Sequence, residues 1–138
     1  MKNFRGKPIV RGEASGKPLV SFRPFTFAHG VDPATGRVTD VRSDIRGGVV
    51  RGRILVYLYG KGSTTASAWF LETSRLGNNP HGIIIKNFDN GTIVGSILSN
   101  ITYNIKIPVI LVEEEEFYRE ASQANLVRIH NTGDINLE

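Results

Sequence analysis

Gly60-Lys61-Gly62-Ser63-Thr64-Thr65 follows directly on the apolar run Ile54-Leu55-Val56-Tyr57-Leu58, and together they read as a strand, a glycine turn and the start of a helix. Glycines allow a tight turn and a close approach of backbone to ligand, while the first amides of a helix present unpaired donors at the positive end of its dipole. Such a place suits an anion, or a negative charge that develops during a reaction. Ser63 stands where the turn becomes a helix. Its hydroxyl can serve as an N-cap or, with Lys61 and the neighbouring amides stabilising an alkoxide, as a base. Spacing alone leaves both readings open. In either, Lys61, Gly62 and Thr64 are the residues that would surround a bound anion.

Known phosphate loops do not fit this segment. A Walker A loop places Ser or Thr after its lysine and a glycine six residues before it; here Gly62 follows Lys61 and Leu55 holds the outer position. A dinucleotide fingerprint starting at Gly60 would need glycine where Thr65 stands and an acidic residue about twenty positions on, which the sequence does not supply. A Ser/His/Asp hydrolase arrangement is not spelled out either.

The chain has 138 residues, the size of one domain, and 40% of them are hydrophobic, enough for a sizeable core. No apolar run approaches the roughly 20 residues that cross a bilayer, and Met1-Lys2-Asn3-Phe4-Arg5 leads into polar sequence without a signal-peptide pattern, so a cytoplasmic location is expected. With no cysteine, the chain by itself carries neither a disulfide nor a thiolate-held zinc or iron–sulfur site. His29, His81 and His130 lack ligand-like spacing and read as surface or loop histidines, so no metal site is expected here.

Charge is unevenly spread. Residues 1–53 carry 11 Lys/Arg against 4 Asp/Glu, a net +7, whereas the remainder is net −3, with 6 against 9. A basic half can meet nucleic acid, an anionic substrate or an acidic partner. Arg37, Arg42, Arg46, Arg51 and Arg53 lie in loop-like sequence without interleaved aromatics or a nucleic-acid-binding motif, which favours a solvated or subunit-facing surface.

The elements that must position the turn follow from periodicity. Pro8-Ile9-Val10 and Pro18-Leu19-Val20-Ser21-Phe22 read as short strands separated by a turn over residues 12–17, and residues 23–48 as mostly irregular. Ala66, Trp69, Phe70 and Thr73 share one helical face, predicting a helix from about Thr64 to Leu76 that stops at Gly77 and Asn78. Gly82-Ile83-Ile84-Ile85 is a buried strand, Thr92 to about Thr102 a second helix, and Pro108 to Val112 another buried strand. Glu113 to Glu116 open a third helix, with a metal or basic-partner site as the functional alternative for these acids. Leu126-Val127-Arg128-Ile129 and Ile135-Asn136-Leu137 form a closing hairpin.

Several motifs in one order, Gly12-Glu13-Ala14-Ser15-Gly16, Phe27-Ala28-His29-Gly30-Val31-Asp32-Pro33-Ala34-Thr35-Gly36, Gly60-Lys61-Gly62-Ser63-Thr64-Thr65 and Ile107-Pro108-Val109, resemble the small subunit, or swivelling domain, of the aconitase X family. The resemblance covers most of the chain, with departures at His29 and Ala66, where the family often has glycine. It implies an α/β fold of the swivelling β/β/α type, closing over a larger subunit that carries a 4Fe-4S cluster. It also implies that the serine matching Ser63 takes the substrate proton of a dehydration. A phosphorylated hydroxy acid, 5-phosphomevalonate, is the expected substrate, with cis-3-hydroxyproline as the alternative within the family. Two rivals belong to other classes. One is a non-catalytic module that binds anions or a partner through the same turn. The other, a mobile phosphohistidine domain, needs a histidine in the turn, and residues 60–67 contain none.

Overall fold

In the computed structural model, which describes residues 1–61 and 65–138, two sheets and three helices make a three-layered α/β fold. The central layer is a five-stranded sheet in the order β2 (Lys7–Val10), β7 (Val109–Leu111), β6 (Gly82–Ile85), β5 (Ile54–Tyr57) and β4 (Pro18–Ser21). The four strands β4 to β7 run parallel and β2 is antiparallel to β7. Proline cannot donate to a ladder, so it belongs at sheet edges and strand starts. Pro8 lies in one edge strand and Pro18 opens the other.

Every residue of β5 and β6 is buried because both faces of the sheet are covered. On one face Leu55, Tyr57, Ile83, Ile85 and Val109 pack against α1 (Ala66–Arg75) and α2 (Asn90–Tyr103), together with Phe25, Phe27, Val31 and Val38 from the excursion between β4 and β5. On the other, Ile54, Val56, Ile84 and Ile110 meet the second sheet and α3 (Glu115–Gln123). That second sheet is antiparallel, in the order β1 (Lys2–Arg5), β9 (Asp134–Leu137), β8 (Val127–Ile129) and β3 (Ala14–Gly16). Its alternation is that of a sheet wet on one side: Val127, Ile129, Ile135 and Leu137 point inward while Arg128 is exposed.

The helical layer is closely packed because its contact residues are small. Gly95 of α2 lies over Phe70 of α1, and the Ser74 and Ser99 hydroxyls bond to each other at 2.8 Å. Phe70 is itself stacked on Phe27, with ring centroids 4.3 Å apart and planes within 5°.

The predicted elements are present with small shifts: the first helix begins at Ala66, the second at Asn90, and the closing hairpin pairs Ile129 with Ile135. Residues 23–48 contain isolated bridges but no strand or helix. Two strands depart from expectation. β3 occupies part of the segment read as a turn, and β1 the segment read only as a polar start; both are edges of the antiparallel sheet.

Candidate active site

The glycine turn leaves the carboxyl end of β5, the edge of a parallel sheet at which helices begin and ligands bind. Its stem is held on both sides. Towards β4, the Phe25 amide donates to the Tyr59 carbonyl and the Lys61 amide to the Phe25 carbonyl, each at 2.9 Å, extending the parallel pairing as far as Gly60. Towards β6, the Asn87 side chain donates to the Leu58 carbonyl at 2.9 Å and the Asn87 amide to the same oxygen at 3.1 Å. The path from β5 to Lys61 is therefore fixed by backbone hydrogen bonds rather than by glycine alone.

Ser63, Gly62 and Thr64, expected as the base and two of the anion-binding residues, lie outside the described residues. Lys61, the fourth, is described, and its ammonium is not free: it is paired with the Asp40 carboxylate. That lysine, together with a backbone bond from the Arg42 amide at 3.0 Å, holds the Asp40 carboxyl below the usual carboxylate range. At the helix end of the turn, the residue preceding α1 is Thr65, two positions beyond Ser63, and its backbone already lies in the right-handed helical region. No acidic side chain sits in the first turn of α1 to occupy its positive end.

Beneath the turn lies a buried polar cluster that periodicity could not show. The Tyr57 hydroxyl donates to Oδ2 of Asp89 at 2.8 Å and lies 2.6 Å from the Thr92 hydroxyl, which also reaches Asp89 Oδ2 at 3.0 Å. Burial, reinforced by the Asp89 charge, pushes the Tyr57 phenol well above its ordinary value, so it stays a donor. A sequence signal for Asp89 exists only in hindsight: a carboxylate just past a buried parallel strand, at the start of the next helix.

The other expected residues are accounted for. His29 adopts φ +56°, the left-handed region that favours glycine, and its ring lies 4.5 Å from that of Trp69. The departure from glycine is thus accommodated on the side of α1. His81 reaches the Ser15 carbonyl at 3.1 Å. The acidic run opens α3, with Glu115 and Glu116 in its first turn, and among the described residues no three His, Cys, Asp or Glu side chains gather as a metal site. A concavity of about 660 Å³ on the wet face of the antiparallel sheet is lined by Asn3, Glu13, His130 and Asn136, among others. Three of these side chains are tied to one another, His130 Nε2 to Asn136 Oδ1 at 2.6 Å and Asn136 Nδ2 to Asn3 Oδ1 at 2.5 Å.

Residues 3–137 match the family model of the aconitase X swivel domain. The chain belongs to this family. It is 34% identical over 132 residues to the phosphomevalonate dehydratase small subunit of Pyrococcus furiosus, a match that spans 96% of this chain and 98% of that one. With the protein of the same name from Thermococcus kodakarensis it shares 42% identity over 98 residues, 71% of this chain and 74% of the relative. The crystal structure of Thermococcus kodakaraensis aconitase X in its holo-form superposes with a TM-score of 0.83 at 32% identity, covering 100% of this chain and 99% of that one. The two-sheet swivel domain described above is therefore an aconitase X swivel architecture. No helix among the described residues is long and apolar enough to cross a membrane.

Proposed function

We propose that this chain is the small subunit of a two-subunit aconitase-X-type hydro-lyase that dehydrates 5-phosphomevalonate, with Ser63 as the base that takes the substrate proton. The observation that carries the reading is the glycine turn at the carboxyl edge of β5, in a chain similar along nearly its whole length to phosphomevalonate dehydratase small subunits. Dehydration removes a proton beside a carboxylate and expels hydroxide. In sequence the serine stands between a lysine and the start of a helix, and helix-start amides and a cation stabilise an alkoxide where it forms. Gly62 and Thr64 bind the anionic substrate alongside it, and Lys61 does so in exchange for, or together with, its bond to Asp40.

An iron–sulfur cluster does not fit this chain, since clusters are held by thiolates and none of the 138 residues is cysteine. In this reading the cluster belongs to a large aconitase-X-type subunit, which the basic first half helps to dock.

The experiment is reconstitution. The isolated chain is expected to bind no cluster and to turn over nothing, and addition of the cluster-bearing large subunit is expected to restore dehydration of 5-phosphomevalonate. Turnover by the isolated chain would overturn the two-subunit reading. Turnover of cis-3-hydroxyproline without turnover of 5-phosphomevalonate would replace the substrate.

A further inference from the structure

Asp89 occupies the N-cap position of α2, where aspartate ordinarily accepts a hydrogen bond from the helix's own first amides, yet its side chain makes no capping bond. The carboxylate turns instead to the underside of the glycine turn. Its Oδ2 accepts from Tyr57 at 2.8 Å and from Thr92 at 3.0 Å, and the residue is only 9% exposed. It also lies flat against Gly60: a Cβ built on that glycine would stand 2.5 Å from the carboxylate carbon and closer still to Oδ2. Real side chains do not approach so closely, so the space a larger residue would need at position 60 is the space the Asp89 carboxylate fills.

A buried carboxylate is costly unless its oxygens are hydrogen-bonded, and capping α2 would have kept this one at the helix end. The geometry suggests another use. Backbone bonds to Phe25 and Asn87 fix the stem of the turn within the plane of the sheet, on its two sides. Asp89 supplies the remaining direction, a floor anchored through Tyr57 to the end of β5 and through Thr92 to α2. A base must be held within a fraction of an ångström of its productive position, so a displaced stem is expected to slow chemistry while leaving binding largely intact.

We propose that Asp89 is a positioning residue for the dehydration: its carboxylate, held by Tyr57 and Thr92, is the surface on which Gly60 rests and fixes the chain at Gly60 and Lys61, two residues ahead of Ser63 in sequence. This rests on the reading of Ser63 as the base.

The test is a double-mutant cycle in the reconstituted two-subunit enzyme, read as kcat and KM for 5-phosphomevalonate. Gly60→Ala drives a methyl into the carboxylate, and Asp89→Ala removes the floor; each is expected to lower kcat by about tenfold to a hundredfold with KM within about threefold. In the double variant the new methyl occupies the space the carboxylate vacates, so kcat is expected to exceed that of Gly60→Ala alone. A double variant whose loss equals the product of the two single losses would overturn the inference. So would Gly60→Ala or Asp89→Ala with wild-type kcat, or losses confined to KM. Circular dichroism and co-purification with the large subunit report folding. If Asp89→Ala does not assemble, Asp89→Ser runs the same cycle, since it keeps a hydroxyl for the Tyr57–Thr92 pair while clearing the space under Gly60. A wild-type pair with no dehydratase activity would remove the Ser63 reading and this inference with it, whereas an active wild type with an additive cycle would remove the inference alone.

Discussion

The Lys61 ammonium is bonded to Oδ2 of Asp40, a residue 21 positions earlier in the chain, so the stem of the glycine turn is tied to the long excursion between β4 and β5. That excursion has no regular secondary structure of its own and is held by buried Phe25, Phe27, Val31 and Val38 on one side and by this ion pair on the other. Under the proposed function, an anionic substrate at the turn meets a lysine already engaged, and must share it with Asp40 or displace the carboxylate.

The pair sets a pH-dependent contribution to stability. Asp40 is shifted downward in the folded protein, so its contribution is fully present above the ordinary aspartate range and is lost as pH falls through the lowered value. With Lys61 33% and Asp40 16% exposed, solvent screening limits the pair to about 1 kcal/mol or less. Urea denaturation of Asp40→Asn is expected to show that loss at neutral pH, shrinking toward zero in acid below the usual aspartate range. A difference that grows in acid would contradict the assignment.

Ser63→Ala separates chemistry from folding. The most the substitution can remove from the fold is a helix-start hydrogen bond, so unfolding free energy is expected to fall by no more than about 1 kcal/mol, the scale of a lost cap. In the reconstituted enzyme kcat is expected to fall by several orders of magnitude with KM little altered, the pattern of an interaction made in the transition state. Turnover within about tenfold of wild type would leave Ser63 without a catalytic role.

Gly95→Ala tests the packing of the two helices that follow the site strands. A methyl on residue 95 would meet the Phe70 side chain at 2.5 and 2.9 Å, and Phe70 cannot retreat because its other face is stacked on Phe27. Helix propensity favours alanine by about 1 kcal/mol, but overpacking a rigid contact costs about 1 to 3 kcal/mol. A net loss of stability is therefore expected in thermal or urea denaturation; a more stable variant would show that the α1–α2 contact yields.

How far the sequence could be read depended on whether the signal was local. β5, β6 and β7 are runs of branched apolar residues, and α1 to α3 carry helical periodicity or an acidic start, so each element announces itself within its own span. β1 and β3 do not. They are edge strands of four and three residues, charged or glycine-bearing, and their partners are remote: Phe4 pairs with Ile135 and Ala14 with Ile129. The site divides in the same way. Gly60 and Lys61 stand out as a contiguous turn after a strand, whereas Asp40, Asp89 and Thr92 come to it only through tertiary structure. Asp89 was hidden further, because an aspartate before a helix is the commonplace pattern of a cap, which its side chain does not form.

The buried tyrosine at the end of β5 also bears on how the central strand finds its place. Sliding a strand by one residue exchanges its two faces, and a strand with one wet face resists this because apolar groups would be driven into water. β5 has no wet face: Ile54 and Val56 point to one core and Leu55 and Tyr57 to the other. Burial of hydrocarbon alone would scarcely distinguish the two alignments. The phenol does, since Asp89 and Thr92 receive its hydroxyl only on the helical side, and a shifted strand would bury that hydroxyl unpaired at a cost of about 1 to 3 kcal/mol. The paired phenol of this otherwise apolar strand thus acts as the key that admits a single alignment.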